Sequence, residues 1–119
     1  MPERVQRPAS GRVLLARLAE QVIAAQDAVS TTAGRDGRWV TADGDRLIDG
    51  VVVAATGRRL DVELHVIAEW PPEPLQQLAA RLRGGLERSA SNSGLSDQLG
   101  DVDVAIHDVR ERGDTGAVR

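Results

Sequence analysis

The residues best suited to chemistry in this sequence are its two histidines, His65 and His107. Both lie where apolar and polar residues alternate, and each shares its phase of the alternation with a carboxylate, Glu63 beside His65 and Asp103 beside His107. Side chains two positions apart in a strand lie on one face, about 6.6 Å apart. If the two segments formed neighbouring strands in register, these side chains could converge on a Zn²⁺ or Mn²⁺ ion, or act as an acid–base pair.

The same alternation has a simpler interpretation, the solvent-exposed face of a half-buried strand. No local metal-ligand motif such as H-x-x-x-H or H-E-x-x-H occurs in the chain. We therefore expect a solvated outer face that includes His65, with no catalytic residue, no cofactor and no metal ligand. The alternative is a small metal-binding domain or metal-dependent enzyme that uses His65 and His107 with the nearby carboxylates. The predicted core phase is Leu60, Val62, Leu64, Val66, Ala68 and Trp70, and the outer phase is Asp61, Glu63, His65, Ile67 and Glu69.

The aromatic residues of the chain are Trp39 and Trp70. Trp70 occupies the last apolar position of the long segment, which predicts that its ring closes one end of the core, and if the ring is exposed the alternative is a partner-binding anchor. Trp39 lies in a polar, glycine-rich stretch, where it is a candidate interface residue, and packing over the edge of the sheet agrees equally with its position. The candidate partner-binding residues are therefore Trp39, Glu63, His65, Asp103 and His107.

Composition excludes several classes of function. The 119 residues fit one domain. The absence of cysteine excludes thiolate chemistry, and the absence of lysine excludes a Walker or Schiff-base lysine. A net charge of −3 and the scarcity of aromatic residues argue against nucleic-acid binding. No apolar run approaches the ~18 residues that cross a bilayer, and the N-terminus does not resemble a signal peptide, so we expect a cytoplasmic protein without direct membrane insertion.

Apolar periodicity predicts the elements that position these residues. A first helix should begin after the N-cap Ser10 and end near Val29. The glycine-rich residues 34–50 should form a loop or a short, weak hairpin. The short strand Val51–Ala55 and the long strand Leu60–Trp70 should pair as an antiparallel hairpin.

The second half of the chain completes the predicted fold. A helix is expected at Glu73–Arg88, a loop at Ser89–Gly94 and a last strand at Asp101–Val109. The order helix, strand, strand, helix, strand predicts an α+β two-layer sandwich, with two helices packed on one face of a small mixed sheet. The predicted boundaries are an N-terminal tail at 1–9, a single domain at 10–109 and a C-terminal tail at 110–119.

Four stretches of the chain carry a resemblance to a known family. They are VLLARLAEQVIAAQDAVSTTAG (13–34), GVVVAATGRRLDVELHVIAEW (50–70), LQQLAARLRGGLERSASNSG (75–94) and DVDVAIHDV (101–109). In order and pattern they resemble the bacterial alkaline shock protein family, also called the envelope stress response family. The shared layout is a first helix ending near a valine and a glycine, a hairpin with a long alternating strand, a leucine-rich helix, and a final strand of alternating valines.

The resemblance implies a non-enzymatic cytoplasmic protein of the envelope stress response. Members of that family are often held at the membrane by a small membrane-anchored partner, and some self-associate, so the resemblance implies a protein partner and a homo-oligomer. The acidic balance of this chain agrees with recruitment by a protein and argues against direct binding to anionic lipid. An accessory protein of RNA metabolism that docks on protein is a further hypothesis.

Overall fold

The computed structural model of the chain describes residues 10–111. This range forms two helices and six strands, which confirms the predicted α+β class. The predicted tail at 1–9, and all of the second tail after Glu111, lie outside the described residues. In chain order the elements are α1 (Gly11–Ala24), β1 (Val29–Thr31), β2 (Val40–Asp43), β3 (Arg46–Asp49), β4 (Val51–Thr56), β5 (Arg59–Trp70), α2 (Leu75–Asn92) and β6 (Leu99–Glu111).

Helix α1 begins where predicted and ends earlier. The Oγ atom of Ser10 accepts a hydrogen bond from the backbone N–H of Val13 at 3.3 Å, which is the predicted N-cap. The last helical residue is Ala24, so the predicted end near Val29 is wrong. Val29 begins β1 instead, because this short β-branched segment pairs with the second half of β5.

Strand β5 is the centre of the main sheet. Along one edge it pairs antiparallel with β4 over its first half and with β1 over its second half. Along the other edge it pairs parallel with β6, and α2 forms the connection between these two strands. The antiparallel hairpin and the mixed sheet are therefore as predicted.

Helix α2 extends further than its sequence pattern indicated. It continues to Asn92, so the predicted loop Ser89–Gly94 is wrong over most of its length. Packing explains the difference, because Ala90 is fully buried and follows buried Leu86 at a four-residue step along the same face. At Gly85 the two helices approach closely, since a Cβ atom there would lie 2.9 Å from Cγ1 of Val22.

The core lies between the helices and the sheet. On β5 it takes Val62, Leu64, Val66 and Ala68, all buried as predicted. Trp70 does not close the core, because 58% of it is exposed to solvent. Helix α1 has 14 residues and α2 has 18, so they span only about 21 Å and about 27 Å, whereas the 12-residue β5 spans about 40 Å. The end of β5 therefore extends beyond the layer of helices.

The glycine-rich region forms the hairpin that was one of its two predicted states. Strands β2 and β3 pair antiparallel, and Asp43 at the end of β2 binds Arg17 of α1 through two hydrogen bonds of 2.8 Å. Arg46 donates a further bond to Asp43 at 3.2 Å. Hydrogen bonding to Arg17, together with the charges of Arg17 and Arg46, lowers the pKa of Asp43 to about 2. These contacts hold the hairpin against α1. Neither described helix is long and apolar enough to cross a membrane.

Candidate functional site

The two histidines converge across the parallel pair of strands. His65 lies on β5 and His107 on β6, and Nδ1 of His65 is 2.8 Å from Nε2 of His107. The register slips between the pairs Val66–Ile106 and Ile67–Asp108, so that His107 is the extra residue of a bulge. The bulge lies directly beside the pair that the two rings form.

The backbone of His65 is held from both of its neighbouring segments. Its N–H donates to the carbonyl of Gly50 at 2.7 Å, and its carbonyl accepts from the N–H of Thr32 at 3.0 Å. His65 therefore occupies the point on β5 where the partner strand changes from β4 to β1. This position gives the ring a rigid base.

The two imidazole rings meet edge to edge. Their centroids are 5.1 Å apart and their planes differ by 16°. The centroids are 5.1 Å apart and the facing nitrogens are 2.8 Å apart. The difference is about the width of one ring, so both nitrogens lie close to the line that joins the centroids. The in-plane bonding direction of each nitrogen, whether it holds a hydrogen or a lone pair, therefore points at the other ring.

Glu63 determines which way the hydrogen bonds run. Its Oε1 atom lies 3.0 Å from Nε2 of His65. A carboxylate accepts, so Nε2 of His65 donates, and Nδ1 of the neutral ring is left as an acceptor. Nε2–H of His107 then donates to Nδ1 of His65. The result is a hydrogen-bonded chain from the exposed ring of His107 through the buried ring of His65 to the exposed carboxylate of Glu63.

Trp39 covers this chain of hydrogen bonds. Its ring centroid lies 4.3 Å from that of His65 and 4.2 Å from that of His107, with interplanar angles of 3° and 19°. Since the imidazole centroids are themselves 5.1 Å apart, the indole lies over the midpoint of the pair, at roughly the 3.5 Å of ordinary carbon–carbon contact. The indole thus covers the hydrogen bond between the two histidines.

Backbone contacts place Trp39 over the sheet. Its N–H donates to the carbonyl of Ala33 at 3.0 Å, which closes the loop that precedes β2. Its carbonyl accepts from the N–H of Gly50 at 2.7 Å. A Cβ atom at Gly34 would lie 2.9 Å from Cε3 of the indole, so this glycine lets the loop backbone lie directly against the ring.

Because Trp39 covers His65 and His107, the predicted solvated outer face is wrong at its centre. His65 is only 6% exposed, although it lies in the polar phase of β5. Alternation identified the face correctly, but it contains no information on whether a distant loop folds over that face. A useful signal was present in the sequence, since tryptophan is highly buried on average, and packing over the edge of the sheet was one of the two predicted roles of Trp39.

Asp103 does not join the cluster. It is exposed, and its position on β6 is opposite Glu63, two residues before the register position of His65. Trp39, Glu63, His65 and His107 therefore form one contiguous site, and Asp103 lies beside it. Between residues 10 and 111, no group of three or more histidine, aspartate or glutamate side chains is arranged to hold a metal ion.

Two hollows on the described surface are open to solvent, and one of them lies beside Trp39. One of about 280 Å³ is lined by the loop residues Gly34, Arg35, Asp36, Arg38 and Trp39. In this hollow Arg38 binds Asp36 at 2.8 Å and lowers the pKa of that carboxyl, chiefly by hydrogen bonding. A second hollow, of about 330 Å³, lies between α1 and α2. Both open widely to solvent, so neither would bury most of a bound small molecule.

The site can therefore do two things chemically. It can carry a hydrogen-bonded proton from the exposed ring of His107 to the carboxylate of Glu63, and it presents two imidazole nitrogens to a single point beneath an indole. Comparison with family models, with curated proteins and with solved structures found no match to this chain.

Proposed function

We propose that the chain is a non-enzymatic protein-interaction module of the envelope stress response, recruited to the cytoplasmic membrane by a protein partner and able to self-associate. The proposal combines the family resemblance of the sequence with one surface of the fold. The observation that carries it is the exposure of Trp70, of which 58% is open to solvent at the end of β5. Tryptophan is among the residues most enriched at binding hot spots.

Further apolar side chains are partly exposed on β6 and at the start of α2, which begins five residues after Trp70. Ile106 and Val109 of β6 are only partly buried where they pack on the edge of the core, and they stand opposite Val66 and Ala68 of β5. Leu75, the first residue of α2, is 40% exposed. We call Trp70, Leu75, Ile106 and Val109 the strand-end surface. A partner that covered it would remove apolar area from water at about 25 cal/mol per Å².

Strand β6 adds a second means of association beside this surface. Within the described residues it has 13 positions and pairs with β5 alone. The other edge of such a strand offers backbone N–H and C=O groups to a further strand, which is a common mode of peptide recognition and of self-association. Charged residues at Asp103, Asp108 and Arg110 would restrict which strands can pair there.

The charge of the chain supports recruitment by a protein. A net charge of −3 is unfavourable near the anionic cytoplasmic leaflet, which attracts polybasic segments. Attachment through a membrane-anchored partner does not require a basic surface on this chain.

Co-sedimentation tests the proposal. The full chain should pellet with membrane vesicles from the cells that express it, and should not pellet with protein-free liposomes of the same lipids or with protease-treated vesicles. Trp70→Ser should abolish pelleting. Leu47→Ser is the matched control, because Leu47 on the β2–β3 hairpin is also 58% exposed. Binding to protein-free liposomes would contradict the proposal. A chain that stays monomeric at high concentration and pellets with none of the vesicles would contradict it too.

A second candidate function, metal binding by His65 and His107, is favoured by the 2.8 Å approach of their nitrogens. Calorimetric titration with Zn²⁺ and with Mn²⁺ tests it. Stoichiometric binding that is lost in the His65→Ala, His107→Ala double variant supports this function, and the absence of heat from either ion counts against the divalent form of it.

A further inference from the structure

The directions of the two histidine nitrogens select a particular kind of cation. A ligating imidazole nitrogen binds an ion along a direction in its ring plane, and here the two planes differ by only 16° along a line through both nitrogens. An ion placed between them would have its two donors on opposite sides. Monovalent d¹⁰ ions such as copper(I) and silver(I) accept two nitrogen donors in a line, whereas Zn²⁺ takes four ligands in a tetrahedron.

The donor count agrees with this geometry. No group of three or more candidate ligands occurs within residues 10–111, so a tetrahedral or octahedral ion would lack at least half of its protein ligands. Glu63 is already bound to the far nitrogen of His65 at 3.0 Å. A carboxylate in that position orients a ligating imidazole and raises its basicity, without binding the metal itself.

The indole of Trp39, which covers the two histidines, suits a cation of single charge. The indole lies over the midpoint between the two nitrogens, where the electron-rich face of the ring attracts a cation. It also shields the same point from water on that side. A carboxylate of charge −1 on Glu63 then balances one positive charge at the centre of the site.

We propose that Nδ1 of His65 and Nε2 of His107 bind one monovalent d¹⁰ cation of the copper(I) class beneath the indole of Trp39. The inference rests on the second candidate function, metal binding by these histidines, and is independent of the docking surface. Binding replaces the hydrogen bond between the rings: the hydrogen on Nε2 of His107 is lost from that atom, and Nδ1 of the same ring takes up a proton from solvent. Both imidazoles stay neutral and His65 keeps its Nε2–H bond to Glu63.

Only His107 needs to move. An imidazole nitrogen lies about 2 Å from a bound transition ion, so two collinear nitrogens require a separation of about 4 Å. His65 is held by backbone bonds to Gly50 and Thr32, and its ring is buried. His107 is exposed on a strand with a free edge in the described range, so its ring can withdraw by the ångström or so that the ion requires.

Silver(I) is the probe, because it is redox-inert and the chain has few competing soft ligands. The sequence contains no cysteine and a single methionine. Calorimetric titration of the full chain with silver nitrate in chloride-free buffer should give one site per chain. In ¹⁵N spectra of the imidazoles, the signals of Nδ1 of His65 and Nε2 of His107 should shift on binding, while Nε2–H of His65 keeps its bond to Glu63.

Variants separate this site from adventitious binding. His107→Ala should abolish the site, and because that ring is exposed, the variant is expected to fold. Trp39→Leu should bind about three- to tenfold more weakly, and Glu63→Gln about tenfold or more weakly, since Glu63 is a positioning residue. Asp103→Asn, which changes the exposed carboxylate opposite Glu63, is the matched control and should bind like the parent chain.

Each other outcome has a definite meaning. Silver binding that survives His107→Ala overturns the assignment. Binding of Zn²⁺ but not silver(I) overturns the monovalent site and leaves the second candidate function standing. If silver(I), Zn²⁺ and Mn²⁺ all fail to bind, the monovalent site and the second candidate function fail together, while vesicle binding through Trp70 is unaffected by that result.

Discussion

Nδ1 of His65 lies 2.8 Å from Nε2 of His107, although 42 positions of the chain separate the two residues. The parallel pairing of β5 with β6 brings the two strands side by side, and the bulge at His107 sets the final alignment of the rings. Trp39, from a third segment, covers the contact. Each of these contributions has a consequence that can be measured.

The two histidines should be energetically coupled. His107→Ala removes an exposed partner and should lower the free energy of unfolding by about 1 kcal/mol. His65→Ala removes a buried ring that stacks on Trp39 and holds two hydrogen bonds, so we expect a loss of about 2–3 kcal/mol. The double variant should lose less than the sum, by about 1 kcal/mol. Urea denaturation of all four chains measures this, and strictly additive losses would mean that the contact contributes nothing.

Gly50 should be intolerant of a side chain. Its φ is +79°, and a Cβ atom there would lie 2.7 Å from the carbonyl oxygen of His65 and 2.7 Å from Cβ of Thr31. Gly50→Ala should therefore cost about 3 kcal/mol or more, from the left-handed backbone and the overlap together.

Gly57 is the matched control for Gly50. Its φ is +63°, with no atom within 4 Å of an added Cβ, so Gly57→Ala should cost only about 1 kcal/mol. Thermal or urea unfolding compares the two variants. The near-UV circular dichroism signal of the stacked Trp39 should weaken in Gly50→Ala alone. Equal costs would show that the overlap relaxes freely.

Asp43 should make the fold sensitive to acid. Its pKa falls from 3.8 to about 2 in the folded chain, through hydrogen bonding to Arg17 first. A lowered folded pKa stabilises the native state fully above the unfolded value near 3.8, and this contribution is lost as the pH falls through about 2. Asp43→Asn should lower stability at pH 7 and flatten the acid limb of the stability curve.

Melting temperatures between about pH 1 and pH 7 measure that effect, over a range that brackets the folded and unfolded values for Asp43. Asp45→Asn, which changes the exposed carboxylate in the same turn, is the control and should keep the acid limb of the parent chain. An unchanged limb in Asp43→Asn would show that the contact with Arg17 is absent in solution.

The adjacent glycines of α2 should respond oppositely to alanine. At Gly84 an added Cβ would meet only the flexible end of Arg88, at 3.3 Å, so Gly84→Ala should stabilise the chain by up to about 1 kcal/mol. At Gly85 the same atom would lie 2.9 Å from the methyl group of Val22 on α1. Gly85→Ala should therefore gain nothing or destabilise, because the helices would have to separate. Urea denaturation distinguishes the two, and an equal gain at both positions would contradict close helix packing.

Much of the secondary structure could be predicted because it depends on local patterns. The N-cap at Ser10, the hairpin of β4 with β5, and the burial of Val62, Leu64 and Val66 follow from capping chemistry and a two-residue alternation. The exposure of Trp70 was not predictable in this way, because it depends on the length of β5 relative to the helices that cover it.

The site required information that no local pattern contains. Alternation assigned His65 and His107 to the outer phase of their strands, but the distance between their rings depended on strand order, on parallel pairing and on the bulge. The burial of His65 depended on the loop that carries Trp39.

The sequence by itself determined the α+β class, the strands that carry the histidines, and the absence of thiolate or lysine chemistry, because composition and periodicity are properties of the chain alone. Tertiary structure alone decided that Glu63, His65 and His107 form one hydrogen-bonded chain beneath Trp39. The physical reason is that contacts between residues far apart in sequence are selected by the packing of the whole domain, where loop closure and strand register are settled together.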